Sequence, residues 1–175
     1  MNIANKLTIL RVLMIPVFLV FLLNPALPYH NWIALSIFTA ASLTDMLDGM
    51  LARKLDLITN FGKFMDPLAD KLLVCAALVA LVELGRIAAW MVIIIIAREF
   101  VISGYRLVAA DSGTVIAAGI WGKLKTIAQI LMVALLIADI AAIKLVTEVV
   151  IWIAIILTLV SMVEYMVRNR IDMNK

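Results

Sequence analysis

The sequence predicts an all-α integral membrane protein of six transmembrane helices, and three observations carry that expectation. Apolar residues make up 66% of the chain and its mean hydropathy is +1.14, whereas a water-soluble domain holds roughly 45–50% apolar residues. That excess is too large for one core surrounded by water, so the bilayer is the expected solvent. Apolar stretches close to the roughly 20 residues that a bilayer core requires recur six times. The segments between them are short and rich in turn-forming residues. A length of 175 residues suits a single domain over 1–175.

The first span covers Leu7–Leu23 and stops at Asn24-Pro25, with Pro28 beyond. Basic residues precede it as in a signal peptide, but no small-residue cleavage pattern follows, so the span is expected to stay in the protein. The first six residues suit a brief interfacial helix. The second span, Asn31–Ala52, turns at Asn60-Phe-Gly62, and the third, Pro67–Leu84, ends at Gly85-Arg86. The fourth is Ala88–Ala110, followed by a glycine-bearing segment, Asp111–Gly122. The fifth and sixth, Leu124–Ile143 and Val146–Met166, are divided by a hinge expected at Lys144.

Orientation follows from the basic residues. With six spans both termini share one side, which receives Lys6, Arg11, Arg53, Lys54, Lys63, Lys71, Arg98, Arg106, Lys123, Lys125, Arg168, Arg170 and Lys175. The other side keeps Arg86 and Lys144. That asymmetry places both termini in the cytoplasm of a multi-pass protein of the inner membrane. A net charge of +3 is modest, and no nucleic-acid partner is expected. Cys75 is the one cysteine and His30 the one histidine; an intrachain disulfide is excluded and a zinc site disfavoured.

Chemistry concentrates between the second and third spans. There the chain reads Asp45-Met-Leu-Asp48-Gly49-Met-Leu-Ala52-Arg53 and, eight residues on, Gly62-Lys-Phe-Met-Asp66-Pro-Leu-Ala-Asp70. Asp45 and Asp48 are spaced i,i+3, Asp66 and Asp70 i,i+4, so each pair shares a helix face. Both pairs fall at the cytoplasmic ends of successive helices and are expected to line a polar cavity open to the cytoplasm. Four carboxylates there repel one another and are costly near the bilayer. Divalent cations, Mg2+ or Mn2+, neutralise them best, because hard oxygen ligands suit those ions. Two such ions form the usual clamp for displacement at phosphorus. Gly49 and Ala52, on the stripe of Asp45 and Asp48, leave room either for a ligand or for close helix packing.

A second polar group begins in the fourth span. Glu99, Ser103 and Arg106 share a face at i, i+4 and i+7, with Arg98 elsewhere on the same helix. Arginine inside a span should face a pocket or a partner. With Lys123 and Lys125 these arginines suit an anionic phosphate; alternatively, Glu99 pairs with Arg106 or another basic group. Lys123 and Lys125 are two residues apart and cannot both face one pocket on a regular helix. Asp139, in the fifth span, has no evident partner. Trp90, Trp121 and Trp152 suit interfacial or lipid-facing positions.

The pattern Asp-x2-Asp-Gly-x2-Ala-Arg-x8-Gly-x3-Asp-x3-Asp resembles the signature of the CDP-alcohol phosphotransferase family, and every fixed position is filled. The resemblance implies that Asp45, Asp48, Asp66 and Asp70 hold two divalent cations. It implies that Asp48, Gly49, Ala52 and Arg53 contact the CDP moiety, that Gly62 allows close backbone approach, and that Asp70 is the general base. The opening Asn5-Lys-Leu-Thr8 is similar to that of members in which this asparagine and threonine lie near the nucleotide. The Arg98-Glu99-Phe, Ser103-Gly-x-Arg106 and Gly122-Lys123-x-Lys125-Thr steps are similar to the branch that uses glycerol 3-phosphate. The activity implied is phosphatidyl transfer from CDP-diacylglycerol to glycerol 3-phosphate with loss of CMP, by direct displacement and in a homodimer. Another acceptor, such as phosphatidylglycerol in cardiolipin synthesis, is the nearest alternative. A divalent-cation transporter is a distant one, since transport favours acidic residues spread through the bilayer depth.

Overall fold

A computed structural model describes residues 3–55, 60–111 and 119–168, and within them the side chains of 9–44, 71–109 and 119–168. Among the described residues six α-helices coincide with the six apolar stretches: α1 (Ile3–Leu23), α2 (His30–Leu55), α3 (Asn60–Glu83), α4 (Ala89–Asp111), α5 (Ile120–Ala138) and α6 (Lys144–Arg168). No strand occurs among the described residues. Ile120–Ala138 and Ala141–Arg168 are each long and apolar enough to cross a membrane, and Ile9–Leu23 is a shorter apolar stretch.

The chain divides into two compact units: α1 to α3 with residues 133–140, and α4 and α6 with residues 120–132 of α5. In the first unit α1 packs against both α2 and α3. Its buried stripe is Arg11, Ile15, Phe18 and Leu22, spaced at i, i+4, i+7 and i+11 as one helical face requires. The facing stripe of α2 is Ala34, Phe38 and Ala41; its small residues permit close approach, and the Phe18 and Phe38 rings meet at 6.0 Å. In the second unit α4 packs against α6. Their buried stripes are Val92, Ile95, Arg98 and Ile102 on α4, and Ile151, Ala154, Ile155, Thr158, Ser161 and Tyr165 on α6. The outward face of α6 carries exposed Val149, Trp152, Ile156, Val160 and Val163, an apolar surface suited to lipid.

Three boundaries differ from the expectation, each for a local reason. α1 runs unbroken from Ile3 through Pro16, so among the described residues no separate interfacial helix is set off from it. α3 starts at Asn60, seven residues ahead of Pro67. The fifth helix stops at Ala138 and not at Ile143. The break falls at Asp139, whose φ of 48° is left-handed, a conformation aspartate tolerates better than most residues. A 3-10 turn, Ala141–Ile143, then leads into α6, which Lys144 begins.

The end of α3 is a Schellman motif. Gly85, at φ 67°, donates to the Val82 carbonyl and Arg86 to the Leu81 carbonyl, both at 2.9 Å, which satisfies two terminal carbonyls. The motif aims the Arg86 side chain within its own unit. Its Nη1 donates to the carbonyls of Leu136 and Ile137 at 3.1 Å each, and its Nη2 to Asn31 Oδ1 at 3.1 Å. Asp139 Oδ2 lies 3.3 Å from the same Nη2. One guanidinium thus caps the last turn of α5, where helical carbonyls lack partners, and Asp139 has found its counterion.

Candidate functional site

The aspartates are placed by the backbone of α2 and α3. Asp48 lies seven residues before the end of α2 and Asp66 six after the start of α3; Asp45 and Asp70 each lie ten from those ends. At about 1.5 Å per residue, the inner pair sits roughly 9–10.5 Å, and the outer pair roughly 15 Å, along their helices from those ends. The segment that joins α2 to α3 lies outside the described residues. The inner two positions, and the outer two, thus stand at similar distances from the described ends of α2 and α3. Their chemistry fits hard divalent cations. The side chains of Asp45, Asp48, Gly49, Ala52, Arg53, Gly62, Asp66 and Asp70, and of Asn5 and Thr8 on α1, lie outside the described residues. Among the described residues no group of three or more His, Cys, Asp or Glu side chains gathers.

The second unit holds a buried polar cluster between α4, α5 and α6. Arg98 is 7% exposed and Lys125 4%, and both converge on one carboxylate oxygen. Arg98 Nη1 donates to Glu99 Oε1 at 3.3 Å, and Lys125 Nζ donates to the same atom. Arg98 Nη2 donates to Ser161 Oγ on α6 at 3.1 Å. A buried charge persists only when paired, and these partners supply the pairing. Two cations thus share one carboxylate oxygen. Below it, Gln129 Nε2 donates to Thr158 Oγ1 at 3.1 Å, a buried link between α5 and α6.

Arg106, two turns along α4 from Glu99, has a different kind of partner. Its Nε donates to the Tyr165 hydroxyl at 3.3 Å, and its guanidinium carbon lies 5.4 Å from the centroid of the same ring. Tyr165 is buried and meets Tyr105 edge-on at 5.7 Å. Lys123 is exposed in the first turn of α5, whereas Lys125 is buried, as a spacing of two residues on a helix requires. The Glu164 carboxylate lies at the start of α5, where a Cβ on Gly119 would meet its oxygens at 3.0 and 3.1 Å; an acidic group there suits a helix N-terminus.

Of the expected basic residues, the structure brings Arg98 and Lys125 together through Glu99 and leaves Arg106 on Tyr165. Ser103 shares the expected face, but its hydroxyl donates to the Glu99 carbonyl, within its own helix. Tyr165, Ser161, Gln129 and Thr158 were not singled out by sequence. The available signal was the recurrence of Thr158, Ser161 and Tyr165 on one stripe of an otherwise apolar helix.

Over residues 1–160 the chain matches the family described as CDP-alcohol phosphatidyltransferase. It is 44% identical to the CDP-diacylglycerol–glycerol-3-phosphate 3-phosphatidyltransferase of Bacillus subtilis, over 96% of this chain and 95% of that relative. A probable phosphatidylglycerophosphate synthase of Mycobacterium tuberculosis is 39% identical over 95% of this chain and 81% of its own length. A further CDP-diacylglycerol–glycerol-3-phosphate 3-phosphatidyltransferase, from Pseudomonas fluorescens, is 44% identical over 79% of this chain and 73% of its own.

Proposed function

Because the chain belongs to the CDP-alcohol phosphatidyltransferase family, we propose that it moves the phosphatidyl group of CDP-diacylglycerol onto glycerol 3-phosphate, giving phosphatidylglycerophosphate and CMP. The observation that carries the acceptor is the buried cationic group of the second unit. Arg98 and Lys125 gather on Glu99, and Arg106 stands two turns along the same helix on Tyr165. Such a gathering of cations suits an acceptor that brings its own phosphate. The names of the relatives point the same way.

In this reading the first unit handles the donor. Asn5, Thr8, Asp48, Gly49, Ala52, Arg53 and Gly62 flank the nucleotide. Asp45, Asp48, Asp66 and Asp70 hold two divalent cations, Mg2+ or Mn2+, which when bound neutralise the diphosphate and stabilise departing CMP. Asp70 takes the proton from the acceptor hydroxyl, as a carboxylate within hydrogen-bond reach can. Arg106 and Lys123 bind the acceptor phosphate, with Arg98 and Lys125 supplying positive potential behind them. The six helices cross the inner membrane with both termini in the cytoplasm, and the enzyme works as a homodimer.

Purified protein in nanodiscs, given CDP-diacylglycerol and Mg2+, is expected to release CMP with glycerol 3-phosphate and to form phosphatidylglycerophosphate. Serine, inositol phosphate and phosphatidylglycerol serve as competing acceptors. Turnover with one of these, and none with glycerol 3-phosphate, would overturn the acceptor assignment.

A further inference from the structure

The three buried or half-buried cations of the second unit are held in two chemically distinct ways. Arg98 and Lys125 share the Glu99 carboxylate. An incoming phosphate must compete with that internal anion for either of them. Arg106 is held by a neutral phenol: one hydrogen bond from Nε and the ring beneath its guanidinium. Its two terminal amino groups make no hydrogen bond to a described residue. A phosphate meeting Arg106 therefore displaces no anion and finds a planar pair of donors already oriented, the geometry that favours bidentate binding.

We propose that Tyr165 is a positioning residue for the acceptor, fixing Arg106 so that its terminal amino groups receive the phosphate. This rests on the reading of Arg106 as an acceptor-phosphate ligand. Tyr165 can serve because its own ring is immobilised: it is 4% exposed and braced edge-on by Tyr105. A buried ring with two side-chain torsions offers its hydroxyl at one place. Arginine, by contrast, loses considerable rotamer freedom when it must be ordered for each binding event. Tyr165 thus orders Arg106 before the acceptor arrives.

The test uses the full-length protein in nanodiscs and compares Michaelis constants for the two substrates. Tyr165→Phe keeps the ring and its packing and removes the hydroxyl. It is expected to raise KM for glycerol 3-phosphate about three- to tenfold, leaving kcat and KM for CDP-diacylglycerol near their original values. In an Arg106→Ala background the same change should have no further effect on acceptor KM. An unchanged acceptor KM, equal damage to both substrates, or effects that multiply would overturn the role of Tyr165. Should Arg106→Ala itself leave acceptor KM unchanged, the ligand reading fails and the proposal with it. Arg106→Lys provides an arm that does not depend on altering Tyr165. Lysine keeps the charge but has no Nε–H to rest on the phenol, so it should lose most of what alanine loses. A normal acceptor KM in Arg106→Lys overturns the proposal.

Discussion

Glu99 organises the second unit at the scale of single residues, because one carboxylate oxygen receives both Arg98 and Lys125. Its pairing could be anticipated from sequence, but its partner could not: Arg106 stands seven residues away on the same helix, while Lys125 comes from a different one. Tertiary packing decides between such candidates. For the aspartates the reverse holds. Their spacing alone groups Asp45 with Asp48 on α2 and Asp66 with Asp70 on α3, and their side chains lie outside the described residues. If they form one clamp, each of Asp45→Asn, Asp48→Asn, Asp66→Asn and Asp70→Asn should nearly abolish turnover, and double replacements should cost little more than single ones. EDTA should silence the original protein, with Mg2+ or Mn2+ restoring it. Substantial activity in Asp66→Asn, or in the presence of EDTA, would rule out the shared clamp.

Hydropathy locates the elements well and their ends less well. A run of apolar residues does not register where backbone hydrogen bonding stops. The end of α3 was marked by the turn-forming Gly85-Arg86 step, and the structure puts a left-handed cap there. The end of α5 was not, because Asp139 adopts the same conformation without being glycine, and Arg86 from a distant part of the chain satisfies the carbonyls before it. Gly104 in α4 and Gly122 in α5 are different again: nothing lies within 4 Å of a Cβ added at either. Alanine at these positions should stabilise each helix by about 0.5–1 kcal/mol, measurable as a higher Tm in detergent. If the melting point rises while turnover collapses, a substrate must approach the backbone there. Gly119→Ala should gain nothing, since its Cβ meets Glu164.

For the whole molecule, composition announced the solvent, and the solvent constrained the rest: every backbone group within the bilayer must be satisfied by a helix. The division into two units had no counterpart in the sequence, because contacts between distant segments leave no periodic trace in either of them. The Arg98–Glu99 pair has a consequence for biogenesis. Helices leave the ribosome in order, so α4, if it spans the bilayer as proposed, meets the lipid before Lys125 of α5 or Ser161 of α6 has been synthesised. An arginine at mid-span costs about 2.5–3.5 kcal/mol on insertion scales. Its neighbour supplies a counter-charge from within the same segment, 3.3 Å away, so the nascent helix carries a partner of its own. Glu99→Gln should therefore lower the fraction of α4 integrated by the translocon in a glycosylation-mapping assay, even in a chain truncated before α5. Equal integration of both forms would mean that the pair matters only once the later helices have arrived, and that the newly made α4 waits at the interface for them.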